Sequence, residues 1–323
     1  MRPSWWLLAG LLLLSVASLI FALAAGSVTI AWPELWAIVN GGEEGLGRSL
    51  VLELRLPRAL AAFATGGMLA LAGALMQVLL RNPLADPYIL GISGGAAVGA
   101  LLTMLLGAGG MWLTGSAFGG ALLSMLLVFA LAHGRGSWTA TRLLLTGVVV
   151  AAGWGALISL ILSLSPDAQL RGMLFWLMGD LSHADDPWPG LLVLALGLGL
   201  SLPLARNLNV LSRGELQAGA LGVAVGPLRV RVYLIASLLT AVAVTTAGSV
   251  GFVGLIVPHL LRLVLGNDQR LLLPASALLG GSLLTLADTL ARTVAAPQQL
   301  PVGVITALLG VPVFLYLLSR SHR

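Results

Sequence analysis

Residues 58–80 read RALAAFATGGMLALAGALMQVLL, and after Arg58 no charged residue follows until Arg81. A helix needs about 20 apolar residues to cross the hydrocarbon core of a bilayer, and this stretch is long enough. Its glycines and alanines are typical of helices whose backbones pack closely inside a membrane. The stretch therefore predicts a closely packed membrane-spanning helix.

The rest of the chain has the same apolar character. Of its 323 residues, 58% are hydrophobic and only 9% are charged, and the mean hydropathy is +1.01. Soluble domains carry roughly 25% charged residues, so the composition excludes that class. We expect an all-α polytopic membrane protein in which residues 1–323 form a single transmembrane domain.

Ten apolar runs predict about ten transmembrane helices. They lie at 5–30, 58–80, 88–107, 114–132, 143–164, 189–205, 230–248, 250–265, 271–295 and 302–319. The sixth and eighth runs are short, and Pro258 interrupts the eighth. The first run is longer than the roughly 7–15 apolar residues of a signal peptide, so we interpret it as a membrane span.

Arginine is distributed unevenly between the two predicted faces of the membrane. Ten spans put both termini on one face, which then holds 12 of the 17 arginines: Arg2, Arg81, Arg135, Arg142, Arg206, Arg213, Arg229, Arg231, Arg262, Arg270, Arg320 and Arg323. Basic residues favour the cytoplasmic side, so we expect both termini in the cytoplasm. This bias accounts for the net charge of +5, which does not indicate a nucleic-acid partner.

Missing residue types exclude several kinds of chemistry. The chain has no cysteine, which excludes disulfides and thiolate-bound metals, and no lysine, which excludes a Walker A phosphate loop. His259 is the only histidine within a predicted span, and no neighbouring Asp, Glu or His completes a metal site. Only Asp288 comes near a span interior. The pattern therefore disfavours two alternatives, an ion-coupled secondary transporter and an intramembrane enzyme.

Arg55 and Arg58 lie one helical turn apart in the tetrapeptide RLPR, at the start of the second span. A proline near a helix start makes this a rigid cationic edge. Two interpretations stay open. The pair anchors the helix at the membrane interface, with the guanidinium groups reaching towards water, or it binds carboxylates of a partner protein.

Three further segments contain turn or helix signals. The turn NPLADP, at 82–87, is stiffened by two prolines. In the predicted cytoplasmic loop 206–229, Gly214 and Gly222 bracket a seven-residue stretch of helical character. Such a stretch suits an interfacial helix or a helix that enters a groove on a soluble partner. The segment 248–259, GSVGFVGLIVPH, is rich in glycine.

Together, and in this order, these segments resemble the FecCD/cobalamin-type permease family of ABC importers. The matching stretches are 55–100, 141–150, 213–222, 248–274 and 300–318. The resemblance implies the type II ABC importer permease fold, with ten helices per subunit and two copies of the chain around a central path. It also implies two separate ATP-binding subunits on the cytoplasmic face and a periplasmic or lipid-anchored substrate-binding protein outside.

The resemblance implies roles for particular residues. Three arginines would meet acidic residues of the binding protein: Arg55, Arg58 and Arg292. The coupling helix for the ATPase would comprise Arg213, Gly214, Glu215, Leu216, Ala218, Leu221 and Gly222. The cytoplasmic gate would be formed by Asn82, Leu84, Ala140 and Thr141. The fifth span would line the substrate path, which would involve Thr146, Ser159 and Ser163. A separate hypothesis, which the resemblance does not supply, is that Arg171 and Trp176 at the outer mouth contact the passing substrate.

The resemblance also implies the cargo and the division of labour. The cargo would be a metal chelate: a ferric siderophore, haem or cobalamin, with iron chelates expected first. The chain itself would bind no cofactor or metal, since ATP and Mg²⁺ would bind to the partner ATPase. We therefore expect a non-catalytic subunit, surrounded by lipid in the bacterial cytoplasmic membrane.

Overall fold

The computed structural model describes residues 5–26, 28, 30–41, 45–133 and 139–320. Within these ranges every regular element is a helix, so the predicted all-α class is confirmed. Three of the arginines in the charge count lie outside the described residues: Arg2, Arg135 and Arg323.

Fifteen α-helices follow one another along the described chain. They are α1 (Trp5–Ala24), α2 (Trp32–Val39), α3 (Leu46–Ser49), α4 (Leu56–Leu79), α5 (Ile92–Leu105), α6 (Met111–His133), α7 (Ala140–Leu164), α8 (Asp167–Leu177), α9 (Trp188–Ser201), α10 (Ala205–Leu211), α11 (Glu215–Ala220), α12 (Val225–Ala247), α13 (Val253–Leu265), α14 (Gln269–Thr293) and α15 (Val302–Arg320). A π-helical turn, Leu50–Arg55, joins α3 to α4. Short 3₁₀ turns at Pro87–Leu90 and Leu202–Leu204 lead into α5 and α10.

Seven helical segments are long and apolar enough to cross a membrane. They are Trp5–Ala24, Leu46–Leu79, Met111–His133, Ala140–Leu164, Trp188–Leu211, Val225–Ala247 and Gln269–Thr293. Three shorter apolar helices coincide with the remaining predicted runs: Ile92–Leu105, Val253–Leu265 and Val302–Leu317. Each of the ten apolar runs therefore contains a helix, while the count of ten spans stays a prediction.

Two details of the predicted spans are wrong. The first helix ends at Ala24 instead of continuing to residue 30, because the guanidinium of Arg55 binds the carbonyl oxygens of Leu23 and Ala24 at that helix end. Pro258 does not interrupt its helix, since α13 continues through it. Neighbouring helices can compensate for the hydrogen bond that a proline removes from a membrane helix.

The helix α4 lies at the centre of the bundle. In its segment, Leu46–Leu79, 89% of the most apolar stretch is buried, and α14, α12 and α13 all pack against it. A Cβ atom at Gly66 would overlap the carbonyl oxygen of Gly280 in α14, and one at Gly73 would overlap that of Gly254 in α13. The backbones approach this closely only because both positions are glycine.

The helix α7 lies at the edge of the described bundle. Only 11% of its most apolar stretch is buried. Its exposed side chains include Leu145, Val148, Val149, Leu157, Leu160 and Leu164. The helix α7 is long enough to span a membrane, and one of its faces therefore has no protein neighbour within the single chain.

The bundle has two ends, one with Asp288 and one with Glu215, and we refer to them as the Asp288 end and the Glu215 end. The Asp288 end contains the start of α4 and the end of α14, and the Glu215 end contains the end of α4 and the start of α12. Exposed tryptophans flank both ends: Trp32, Trp36, Trp112 and Trp188 at the Asp288 end, and Trp5 and Trp6 at the Glu215 end. Tryptophan is enriched at both interfaces of a membrane, so these two groups mark its boundaries.

The close approach at Gly73 makes a stability prediction. In Gly73→Ala the new methyl group meets the backbone of Gly254, which cannot rotate away, so we expect a loss of about 1–3 kcal/mol, the usual cost of overpacking. The measurement is the thermal unfolding midpoint of the detergent-solubilised protein. The matched control is Gly10→Ala in α1, where no atom lies within 4 Å of the new methyl group. Equal midpoints for the two variants would contradict the packing described for α4.

Candidate functional site

Asp288 connects α14 to α4 through two arginines. Its side chain is 1% exposed, and it accepts hydrogen bonds from Arg58 Nη2 at 2.8 Å and from Arg292 Nε at 3.0 Å. Arg58 Nη1 also donates to Gln299 Oε1 at 2.9 Å. Asp288 and Arg292 lie four residues apart on one helix, so they share a face. One carboxylate thus orients two of the three arginines predicted to bind a partner.

Arg55, the third of these arginines, is held by backbone carbonyl groups. Its Nη1 donates to Leu23 O at 2.7 Å and to Ala24 O at 3.1 Å, and its Nη2 donates to Val28 O. The residue is 4% exposed. Gly26 packs directly against the guanidinium, where a Cβ atom would collide with it. Arg55 therefore satisfies the carbonyl groups at the end of α1, a structural role that its position in RLPR did not reveal.

The three guanidinium groups surround one small cavity. Its volume is about 170 Å³, and its lining residues are Gly26, Val28, Leu50, Leu54, Arg55, Arg58, Arg292 and Gln299. Asp288 neutralises one of the three positive charges, which leaves an excess of two. A cavity with this charge suits an anion, and the planar guanidinium group binds carboxylates in a defined orientation.

A short helix lies at the Glu215 end, where the coupling helix is predicted. The helix α11 is six residues long and lies between Gly214, with φ of 130°, and Gly222, with φ of 79°. Ala218 is fully buried, whereas Leu216 is 92% exposed and Leu221 is 71% exposed. Leu216 on this helix and Leu221 directly after it are two exposed apolar side chains at this end of the bundle. Arg213 lies in the turn that precedes α11.

Glu215 connects the coupling helix to the bundle. Its Oε1 lies 3.5 Å from Arg81 Nη2, and the same oxygen contacts Arg229 Nη2 at the start of α12. Arg81 directly follows the last turn of α4. Neither arginine partner of Glu215 was predicted, because Arg229 lies 14 residues away and Arg81 lies in a distant part of the sequence.

The predicted gate residues occupy two separate turns. Asn82 Oδ1 accepts a hydrogen bond from the backbone N–H of Leu84 at 2.9 Å, which closes a tight turn after α4. Leu84 is 37% exposed. Ala140 and Thr141 open α7, and Ala140 lines a small cleft with residues of α4 and α12. The structure thus brings Ala140 near Leu79, at the end of the helix that Asn82 and Leu84 follow.

The turn after Leu84 is held by a half-buried carboxyl group. Asp86 Oδ1 accepts a hydrogen bond from the N–H of Tyr88 at 2.8 Å, and the hydroxyl of Tyr88 accepts one from the N–H of Val250 at 3.0 Å. Burial raises the pKa of Asp86 to about 6, and the Tyr88 hydrogen bond opposes that shift. These contacts connect the NPLADP turn to the segment that precedes α13.

The predicted path residues differ in exposure. Ser159 and Ser163 are exposed on α7, and their hydroxyl groups donate to carbonyl oxygens of the same helix. Thr146 is half-buried. Arg171 is exposed and lies 5.8 Å from the ring centre of Phe175, whereas Trp176 is 9% exposed and packs into the core. Within this single chain, Trp176 is the path residue with the least access to a passing substrate.

A larger apolar hollow was not predicted. Its volume is about 540 Å³, and its lining residues are Leu177, Met178, Ser249, Gly303, Val304, Ala307, Leu308, Val311 and Pro312. It is formed by the end of α8, the start of the glycine-rich segment and one face of α15. In the sequence, the glycines at 248, 251 and 303 indicated close packing in this region, but they do not specify which helices pack around the hollow. Among the described residues, no group of three or more His, Cys, Asp or Glu side chains could hold a metal ion.

Comparison with known proteins identifies the family. The FecCD transport family model matches residues 12–320. The chain is 41% identical over 317 residues to the vitamin B12 import system permease protein BtuC of Yersinia enterocolitica, covering 97% of this chain and 92% of that protein. It is 39% identical over 327 residues to the hemin transport system permease protein HmuU of Yersinia pestis, covering 97% and 95%.

A solved structure shows the same fold. It is described as an inward-facing conformation of a metal-chelate type ABC transporter, and it superposes with a TM-score of 0.87 at 32% sequence identity. The similarity covers 97% of this chain and 99% of that one. The predicted ABC importer permease fold is therefore confirmed, and the chain belongs to the FecCD transport family.

Proposed function

We propose that this chain is the permease subunit of an ATP-driven ABC importer that carries a metal chelate across the cytoplasmic membrane. The proposal rests mainly on one observation: the two opposite ends of the bundle have different surfaces. The Asp288 end has a cavity with an excess of two positive charges, and the Glu215 end has an exposed leucine pair. Each surface suits a different soluble partner.

The Asp288 end faces the outside in this proposal and receives the substrate-binding protein. Carboxylates of that protein bind at the cavity between Arg55, Arg58 and Arg292. Arg58 has 14% of its side chain exposed and Arg292 has 8%, so both are partly dehydrated. Charged hydrogen bonds are stronger in such surroundings than at a fully exposed surface.

The Glu215 end faces the cytoplasm and binds the ATPase subunit. Leu216 and Leu221 of the coupling helix insert into an apolar groove on that subunit, which is a common mode of helix recognition. ATP and Mg²⁺ bind to the ATPase, and the chain acts as a non-catalytic subunit. The absence of lysine from the permease agrees with this division, because a Walker A loop requires one.

A second copy of the chain covers the exposed face of α7. An apolar face of this size can be turned either to lipid or to protein, and the resemblance to the permease family implies a second copy of the chain here. The substrate path then runs between the two copies, with Thr146, Ser159 and Ser163 on α7 facing it. The protein path is weakly polar, so the choice of cargo rests with the binding protein.

The cargo class follows from the relatives. The chain is 41% identical to the vitamin B12 permease and 39% identical to the hemin permease. Because these identities are so close, they do not distinguish between the two cargoes. Both cargoes are metal chelates, as is the cargo class of the solved transporter. We therefore propose a metal chelate and distinguish ferric siderophore, haem and cobalamin by experiment.

The transport cycle depends on partners that bind two conformations unequally. ATP binding draws the two ATPase subunits together and moves the coupling helices, which opens the path to the outside. Hydrolysis returns the path to its inward-open form. A ligand shifts such an equilibrium only through its different affinity for the two states. The docked binding protein and ATP supply that difference from opposite faces.

Uptake into liposomes tests the proposed function. The permease is reconstituted with the ATPase and the binding protein encoded beside it, and the binding protein is loaded in turn with haem, a ferric siderophore or cobalamin. We expect uptake of one chelate that requires both ATP and the loaded binding protein. Uptake that needs no ATPase and follows an ion gradient would contradict the proposal and favour a secondary transporter.

Removing one charge from the Asp288 end makes a second prediction. Arg58→Gln leaves Arg292 to neutralise Asp288 and removes one cation from the cavity, so we expect binding-protein affinity to fall roughly tenfold or more. The measurement is binding to the permease in nanodiscs at two salt concentrations. Arg48→Gln, in α3 at the same end, removes an equal charge outside the cavity and is the matched control. Equal affinities for the two variants would contradict the docking role of Arg58.

A further inference from the structure

We propose that Arg81 and Glu215 form the contact that transmits movement of the coupling helix to the central helix of the bundle. The proposal rests on the proposed function and assigns Arg81 as a positioning residue for the coupling helix. The resemblance to the family gave Arg81 no role, and the sequence does not pair it with Glu215.

The geometry places Glu215 between two helices of the bundle. Its Oε1 contacts Nη2 of both Arg81 and Arg229, and the distance to Arg81 is 3.5 Å. Arg229 is at the start of α12, and Arg81 is just after α4. The coupling helix is therefore connected through one oxygen atom to two long helices. The Arg81 side chain is 45% exposed, so the pair can form and break without burying a charge.

The backbone at Arg81 is an independent reason to assign a role to its side chain. Its φ is +49°, and among the described residues only Phe252 shares a positive φ with it outside glycine. The N–H of Arg81 bonds to Val78 O and that of Asn82 to Gln77 O, as at many helix ends. Glycine is the usual residue at such a position, because a side chain makes the left-handed conformation unfavourable. Arginine occupies the position despite this cost, and its side chain forms an ion pair with Glu215.

The helix α11 packs on α10 and α12, and α10 in turn packs on α4. Ala218 is buried, but Leu216 and Leu221 point away from the bundle, and the N–H of Val223 bonds back to Ala218 within the loop. Arg229 holds Glu215 on the side of α12. The Arg81 contact is a direct side-chain link between this helix and the end of α4, the helix whose other end carries Arg58. Its loss should uncouple the two ends of the bundle and leave the fold intact.

The test is Arg81→Gly in the reconstituted complex of permease, ATPase and binding protein. Glycine suits the left-handed backbone, so we expect the thermal unfolding midpoint to be unchanged or raised and the complex to assemble. Basal ATP hydrolysis persists. We expect the stimulation of hydrolysis by the loaded binding protein, and the substrate imported per ATP, to fall about fivefold or more. Arg81→Lys retains the positive charge and should restore most of the coupling.

Arg231→Gln is the matched control, since Arg231 is an exposed arginine of α12 two residues from Arg229. It should leave the substrate imported per ATP unchanged. An unchanged amount of substrate imported per ATP in Arg81→Gly would overturn the proposal. Failure of this variant to fold or assemble would also overturn it, because Arg81 would then have a purely structural role. Absence of ATP-dependent uptake in the wild-type complex would overturn the proposed function itself, and the two failures are therefore distinguishable.

Discussion

The close backbone contacts of α4 are the constraint on which the rest of the structure depends. At Gly66 and Gly73 the helix meets carbonyl groups of α14 and α13 with no space for a side chain. In a membrane the lipid is as apolar as the helices, so packing of this kind, rather than exclusion of water, holds the helices together. Because its neighbours contact it on several sides, α4 is held in position and in rotation relative to α12, α13 and α14, and it can move only together with them.

The two charged clusters are arranged by this central helix. Arg58 lies in the first turn of α4 and Arg81 lies just beyond its last turn, roughly 35 Å apart at the rise of an α-helix. Arg58 shares Asp288 with α14, and Arg81 shares Glu215 with the coupling helix and α12. A displacement of α4 as a rigid body therefore reaches both clusters. By contrast, α7 packs on few neighbours and has an exposed apolar face, which suits the part of a transporter that contacts a second copy and moves against it.

Much of the fold was predictable, because apolar length and glycine content directly specify membrane helices. Each of the ten apolar runs contains a helix, and Gly214 and Gly222 do bracket a short helix. The site was less predictable, since it depends on contacts between distant residues. No local pattern showed that carbonyl groups of α1 would bind Arg55. The pairing of Asp288 with Arg292 was not predicted, although they lie only four residues apart, and Arg58 joins them through the packing of α4 on α14.

The most direct test of the central claim is to determine, by cysteine labelling, on which side of the membrane each end of the bundle lies. The chain has no cysteine, so a single introduced cysteine reports one position without background. Leu46→Cys and Leu216→Cys are a matched pair, because both leucines are 92% exposed and they lie at opposite ends. A membrane-impermeant maleimide added to intact cells, with the outer membrane opened where there is one, should label the cysteine at position 46 only, and the cysteine at 216 should react after the cytoplasmic membrane is opened. Labelling of both positions in intact cells, or of position 216 alone, would contradict the assignment of the two ends.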